Sequence, residues 1–153
     1  MPKRKPSPPE SLEQIDTSAV ERFIGYSTRR ASLAIVDTFM QRMAVHDLRP
    51  VSFTLLGLIA SNPGIMSSQL CALLDIRSSN LVALVKELHG RRLIERQPHP
   101  NDVRALGLHL TPQGRSFLKK AQATALAAGL EATARLNDEE RATLAMLLRK
   151  IYQ

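Results

Sequence analysis

The stretch "ERQPHPNDVRALGLHLTPQG", residues 95–114, decides the fold, because its second half alternates between leucine and other residues. Leu106, Leu108 and Leu110 fall on one face of an extended strand, whereas Gly107 and His109 fall on the other. This period of two is typical of a half-buried β-strand. The preceding "RLIERQ" predicts the partner strand, with "PHPNDVR" as the loop that connects the two.

Helical patterns lie before this ribbon. An amphipathic pattern without proline predicts one long helix over residues 18–47, and Pro50 predicts the start of the next helix, "PVSFTLLGLIA". Ser67 is expected to cap the helix "SQLCALLDI". After a short break, "NLVALVKELHG" predicts another helix, with Gly90 as its C-cap.

Helical patterns also follow the ribbon. Thr111 with Pro112, and Asn137 with Glu140, are capping pairs that predict the starts of two C-terminal helices. Two short helices with a tight break, followed by a ribbon, indicate a winged helix-turn-helix. The predicted fold is therefore mainly α with a small β-ribbon.

In such a motif the second helix enters the major groove of DNA. One face of "NLVALVKELHG" carries leucine and valine at helical spacing and is predicted to be buried. Small polar and basic groups lie on the rest of the helix, where bulky residues would block the base edges; the predicted DNA contacts here are Arg77, Ser78, Ser79, Asn80 and Lys86, beside the small Ala83. An ordinary solvated helix face is the alternative, since a charge pattern alone is a weak signal.

The ribbon loop supplies the second set of predicted DNA contacts. Arg104 is expected to reach the minor groove, whose negative potential attracts arginine, and Asp102 is expected to hold its guanidinium in place. His99 and Asn101 are further candidates, and the two prolines of the loop are expected to stiffen it. The alternative is that Asp102 and Arg104 form a plain surface ion pair.

Composition supports a polyanionic partner. The 153 residues include 21 Lys and Arg against 14 Asp and Glu, which gives a net charge of +7. Residues 1–17 begin with a basic, proline-rich run and are predicted to be a disordered tail. The sequence has no apolar run of membrane-spanning length and no signal-peptide pattern, so a cytoplasmic protein without a membrane partner is expected.

Catalysis is not expected. His46, His89, His99 and His109 stand in unrelated segments, and the sequence contains no nucleophile motif, no glycine-rich phosphate loop and no cluster with metal-ligand spacing. We therefore predict no enzyme activity, cofactor or metal site. The single cysteine, Cys71, excludes an internal disulfide and is read as a buried structural thiol in preference to a redox sensor.

The run "DVRALGLHLTPQG", residues 102–114, resembles the wing signature of the MarR family of bacterial transcriptional regulators. The order of the helices is also similar, over residues 18–153. The resemblance implies a homodimer joined by helices within 18–47 and 112–153, with a winged lobe at 50–111 that binds a pseudo-palindromic operator. It also implies a repressor that a small molecule releases from DNA.

The stretch "IGYSTRRASLAIVDTF", together with "PVSFTLLGLI", resembles the subgroup that responds to hydroxycinnamoyl-coenzyme A thioesters. The implied effector is an aromatic acid or its acyl-coenzyme A thioester. Tyr26, Phe39 and Phe53 are candidates for the ring, and Arg29 or Arg30 for the carboxylate or phosphate. The alternative is that these aromatic residues are core and the arginines are solvated.

Two further functions remain open from the residues alone. Winged helices also serve as protein-interaction modules, and a basic winged helix can be a sequence-independent, architectural DNA binder. Salt titrations with specific and random duplexes distinguish these possibilities from sequence-specific binding.

Overall fold

The computed structural model describes residues 15–99 and 102–153, with the backbone alone at 99 and 102–105. The chain divides into two units, one that ends at Leu33 and one that runs from Ala34 to Gln153. The elements are α1 (Ser18–Glu21), α2 (Ile24–Met43), α3 (Pro50–Ser61), α4 (Ser67–Leu74), α5 (Ser78–Gly90), β1 (Ile94–His99), β2 (Asp102–Leu110), α6 (Pro112–Ala132) and α7 (Asp138–Tyr152).

The first unit contains α1 and the beginning of α2. The predicted single helix over residues 18–47 is wrong, because the helix breaks between Glu21 and Ile24. The Ser27 hydroxyl donates to the Glu21 carbonyl, and the Ser27 amide donates to the Phe23 carbonyl. These bonds end one helix and start another, which hydrophobic periodicity alone does not reveal.

The second unit is built around α3. Proline stands at the start of this helix, as predicted, and Leu55, Leu56 and Ile59 are fully buried. The core joins α3 to residues of every later element except α7; its buried members include Met43, Leu70, Leu81, Val85, Leu88, Leu93, Ile94, Leu108, Leu118 and Ala121. An interior of this kind fixes the positions of α4, α5 and the ribbon relative to each other.

Helices α4 and α5 form the helix-turn-helix, with Asp75 in the left-handed conformation at the end of α4. Two predicted caps are wrong. Ser67 is the first helical residue and Met66 is the N-cap, whose amide donates to the Gln69 side chain at 2.9 Å. Gly90 is the last residue of α5, and the left-handed residue beyond it is Arg92, with a φ of 59°.

The ribbon pairs β1 with β2 in antiparallel register from Ile94–Leu110 to Pro98–Leu106. It reaches further into the predicted loop than expected, because Pro98, His99 and residues 102–104 belong to the strands, whereas β1 begins at Ile94, two residues later than predicted. The register shifts between Pro98 and His99, which accommodates a proline that lacks an amide donor.

Two C-terminal helices follow, and both predicted caps are confirmed. The Gly114 amide donates to the Thr111 hydroxyl at 2.9 Å, and Asn137 and Glu140 form a reciprocal capping box. Helix α7 contains no buried residue. Its apolar side chains are therefore uncovered in the single chain.

An exposed ion pair connects α2 to α6. The Arg42 Nε donates to the Glu131 Oε2 at 2.6 Å, and this hydrogen bond lowers the pKa of the Glu131 carboxyl below its ordinary value. The folded state therefore gains from the ionised pair above the ordinary carboxyl pKa and loses that gain as the pH falls through the lowered one. Solvent screening at both side chains keeps this contribution small.

No single helix of residues 15–99 and 102–153 has the length and apolar content that a membrane span requires; only α2 and α3 together, across a sharp bend, meet that measure by composition.

Candidate nucleic-acid interface

Helix α5 presents one apolar face to the core and one polar face to solvent. Leu81, Val85 and Leu88 are at most 2% exposed, as predicted, and hold the helix on the lobe. The small Ala83 on the other side of the helix is exposed. The DNA contacts predicted in this helix and just before it are exposed as well: Arg77, Ser78, Ser79, Asn80 and Lys86. The helix is therefore firmly seated while its outward face is open to a large partner.

The C-terminal end of α5 is fastened by Arg91. Its guanidinium donates to the carbonyls of His46 and Asp47 at 2.8 and 2.7 Å, and it lies 5.2 Å from the centre of the Phe117 ring. The Phe117 ring also meets His46 edge to face, and the His46 Nε2 lies 2.8 Å from the Thr124 hydroxyl. These contacts couple the orientation of α5 to the segment between α2 and α3 and to α6.

The base of the ribbon is fastened by its backbone to the connection between α3 and α4. The Gly64 amide donates to the Leu108 carbonyl at 2.9 Å, and the Leu108 amide donates to the Ile65 carbonyl at 3.0 Å. A Cβ at Gly107 would lie 2.5 Å from the Gly64 carbonyl oxygen, so the close approach requires glycine. The wing is thus rigidly attached beside α5.

The leucine pattern of the ribbon is confirmed only in part. Leu108 and Leu110 are buried, at 1% and 6% exposure, whereas Leu106 is 51% exposed. The ribbon extends beyond its support before it reaches Leu106, so the same face that packs at the base is open to solvent further out.

The tip of the wing carries the remaining predicted contacts. Asn101 lies outside the described residues, and His99, Asp102 and Arg104 are described by their backbone alone, at the outer ends of β1 and β2. Their DNA contacts, and the predicted hydrogen bond from the Arg104 guanidinium to the Asp102 carboxylate, stay predictions.

Two exposed residues near the interface escaped the sequence interpretation. Arg96 is exposed on β1, and Val82 is 60% exposed on α5. Arg96 pairs with Leu108, so the strand period places it on the face of the buried Ile94 and Leu108, and only its charge indicates that it is exposed. Val82 has the residue type of a core position, and only the measured exposure separates it from Leu81 and Val85.

The predicted effector residues fall into the two units. In the first unit, a groove of about 460 Å³ is lined by side chains that include Tyr26 and Arg30, with Glu21 on its wall. Arg29 is exposed on α2, the helix that also carries Tyr26 and Arg30. In the second unit, the rings of Phe39 and Phe53 meet edge to face at 5.6 Å and pack against the core.

The single cysteine, Cys71, lies on α4. The predicted burial of Cys71 is only partial: its side chain is half-buried and packs against the core. A groove of about 310 Å³ between α6 and α7 is lined mainly by apolar side chains, among them Leu126, Leu130, Leu144 and Leu148. All four of these leucines are more than a third exposed.

Comparison with known proteins identifies the family of this chain. The MarR family model matches residues 46–105, from the segment between α2 and α3 into β2. A protein of Thauera aromatica, described as a transcriptional regulatory protein for the hcr operon, is 32% identical over 131 residues, which cover 85% of this chain and 79% of that protein. The chain belongs to the MarR family. MarR-family proteins are DNA-binding transcriptional regulators, and the family is not one of enzymes.

Solved structures agree with the MarR-family assignment. The transcriptional repressor CouR, bound to a 23-mer DNA duplex, is 29% identical and superimposes with a TM-score of 0.84 over 92% of this chain and 99% of that one. BpsR of Bordetella bronchiseptica, studied with 6-hydroxynicotinic acid, is 23% identical, with a TM-score of 0.78 over 88% and 96% of the two chains. These similarities confirm the predicted winged helix-turn-helix.

Proposed function

We propose that this protein is a sequence-specific repressor that binds an operator in the cytoplasm and is released from it by a small molecule. The observation that carries the proposal is the exposed outer face of α5, held by its buried leucines beside a wing that is bonded to the lobe. A seated helix with small polar residues outward suits the major groove, which admits one α-helix.

The predicted contact residues are assigned to different parts of the DNA. Ser78, Ser79 and Asn80, in the first turn of α5, are assigned to base edges, because the N-terminal residues of a recognition helix approach the bases. Arg77 and Lys86 are assigned to phosphates or guanine edges. The wing residues His99, Asn101, Asp102 and Arg104 are assigned to the adjacent minor groove and its phosphates, with Arg104 as the inserted side chain.

We infer that the operator-binding species is a homodimer. Helix α7 buries nothing within the chain, and its exposed stripe of Leu144, Leu147, Leu148 and Ile151 needs a partner surface. A second copy supplies the same stripe, which is what an isologous interface requires. The 23-mer duplex bound by CouR is about two helical turns long, a length that suits two recognition helices.

DNA titration tests the proposal against its two alternatives. An operator selected from random duplexes is expected to bind at least about a thousandfold more tightly than a scrambled duplex at the same salt concentration. Equal affinity for both duplexes would favour an architectural binder. Absence of measurable affinity for either would favour a protein-interaction module.

The proposed effector is an aromatic acid or its acyl-coenzyme A thioester. Tyr26, Phe39 and Phe53 are the ring candidates and Arg29 and Arg30 the anion candidates; the groove that Tyr26 shares with Arg30 supports the pairing of an aromatic with a cationic side chain. BpsR, which is studied with an aromatic acid, lends support from the family. Release requires that the effector bind a DNA-incompetent conformation more tightly than the DNA-bound one.

An effector titration is expected to shift operator binding. In a mobility-shift assay, p-coumaroyl- or feruloyl-coenzyme A, or a free aromatic acid, should raise the apparent Kd for the operator about tenfold or more, within the usual range of allosteric coupling. Coenzyme A alone should have no effect.

The Arg29→Ala, Arg30→Ala double variant should lose this response, because it lacks the charges assigned to the anion. Its matched control is Lys119→Ala, Lys120→Ala, which removes two exposed charges from α6. An equal response in the two double variants would refute the arginine assignment, and no response of the unaltered protein to any compound would refute the effector class.

Arg104→Ala is expected to weaken operator binding by about 1–3 kcal/mol while the melting temperature stays unchanged. The reason is the loss of an inserted cation from the wing. Asp102→Ala should have a milder effect, since it only positions the guanidinium. Fluorescence anisotropy measures both, with Arg135→Ala, an exposed arginine after α6, as the control for lost charge. If Arg104→Ala and Arg135→Ala bind alike, the wing takes no part in recognition.

A further inference from the structure

The outward ridge of α5 contains one apolar side chain among polar and small ones. Val82 and Ala83 each lie three or four residues from Ser79 on one side and from Lys86 on the other, so the four residues form a continuous ridge. Val82 is 60% exposed, whereas Val85 on the inner face is 2% exposed. The valine therefore lies within the surface assigned to DNA.

An exposed valine gains little in the free protein. Its branched side chain has one strongly preferred rotamer in a helix, which gives valine a lower helix propensity than alanine. Because the side chain is 60% exposed, its burial offsets little of that cost in stability. A partner that covers the side chain would supply the burial that the free protein does not. The ridge around it does not suit a broadly apolar partner, because Ser79 and Lys86 flank it and the exposed Arg77 is the N-cap of the helix.

The major groove offers one apolar feature of matching size. Thymine carries its C5-methyl group there, beside the O4 acceptor, and apolar side chains meet that methyl in protein–DNA complexes. Ala83 and Ser79, the next residues on the ridge, are short and let the helix approach to contact distance. Lys86, one turn further along, supplies a charge for the phosphates that border the groove.

We infer that Val82 reads the C5-methyl group of a thymine in each operator half-site. This assignment rests on the proposed function and adds a specificity determinant to it. The small polar residues near it recognise hydrogen-bonding groups, whereas Val82 distinguishes thymine from cytosine, whose edge lacks the methyl group.

Replacement of thymine by deoxyuridine tests the assignment, because it removes the methyl group and retains base pairing. Each thymine of a selected operator is replaced in turn, symmetrically in both half-sites, and affinity is measured by anisotropy. At one position the unaltered protein should bind about fourfold more weakly per half-site, the factor expected for the loss of one buried methyl group. The two half-sites together should give about fifteenfold.

The variant Val82→Ala should bind the thymine operator more weakly by a similar factor and should no longer respond to deoxyuridine at that position. Val45→Ala is the matched control, since Val45 is 80% exposed and lies outside α5. It should keep the affinity and the deoxyuridine response of the unaltered protein. Circular dichroism should show the same melting for both variants, because neither valine is buried.

The outcomes separate this assignment from the proposed function. A Val82→Ala variant that responds to deoxyuridine as the unaltered protein does overturns the assignment and leaves sequence-specific binding intact. An operator in which no thymine methyl affects affinity overturns it equally. A protein that does not prefer its selected duplex to a scrambled one overturns the proposed function and this assignment together.

Discussion

Gly114→Ala is expected to destabilise the folded protein by about 3 kcal/mol, near the upper end for overpacking. A Cβ at this position would lie 1.9 Å from the Leu93 carbonyl oxygen and 2.8 Å from its carbonyl carbon. Both groups are backbone, so no side chain can turn away. The Leu93 carbonyl also accepts from the Thr111 amide, so displacing it disturbs the N-terminus of α6. Urea denaturation at fixed protein concentration measures the loss.

Gly57→Ala is the matched control for this prediction. Gly57 lies inside α3, and a Cβ there would meet nothing within 4 Å. The same substitution should therefore leave stability unchanged or raise it by about 0.5–1 kcal/mol, the helix-propensity gain of alanine over glycine. Similar effects of the two substitutions would show that the close approach of Gly114 to Leu93 is not a constraint on the fold.

Leu147→Asp is expected to convert the protein to a monomer and to lower its operator affinity by about a hundredfold or more. Leu147 is 50% exposed in the single chain, in the middle of the apolar stripe of α7. An aspartate there would place an unpaired charge from each copy in the shared interface, which is costly to desolvate. A monomer also loses bivalent binding, in which the first bound recognition helix raises the effective concentration of the second at its half-site. Light scattering coupled to gel filtration measures the mass, and anisotropy measures the affinity.

Ala142→Asp supplies the control, since it adds the same charge on the opposite side of α7, at an exposed position. It should remain dimeric and bind the operator normally. Deletion of residues 138–153 should reproduce the effect of Leu147→Asp, because α7 contributes no buried residue to the core of the chain. A monomeric Leu147→Asp variant with undiminished operator affinity would exclude the dimer as the binding species.

Local chemistry explains why much of the fold could be predicted. Thr111, Asn137 and Pro50 each determine a helix start through their own backbone or capping bonds, and these are readable from short segments. The alternation at Leu108 and Leu110 likewise predicts the strand that the core covers.

What could not be predicted depends on contacts between distant segments. The requirement for glycine at 107 comes from Gly64, and the position of Arg91 comes from the carbonyls of His46 and Asp47. The helix break before Ile24 and the left-handed Arg92 leave no pattern of charge or hydrophobicity. Local propensity carries no information on such features.

The candidate site was predictable to a similar degree. The exposed face of α5 followed from the buried positions of Leu81, Val85 and Leu88, since the opposite side of an amphipathic helix faces solvent. Phe39 and Phe53 show the limit of this reasoning. They are in contact with each other and pack against the core, so periodicity cannot tell a ring that lines a pocket from one that only fills space.

Selection from a random duplex library tests the central claim most directly, namely that two copies of the winged lobe read DNA sequence together. The enriched duplexes are expected to contain two inverted half-sites with centres about 10 base pairs apart, one turn of the double helix, or a whole multiple of it. Mobility shifts on the enriched duplex should give a complex of two chains per operator. Duplexes that bind the protein but show no common sequence after repeated rounds would contradict the account.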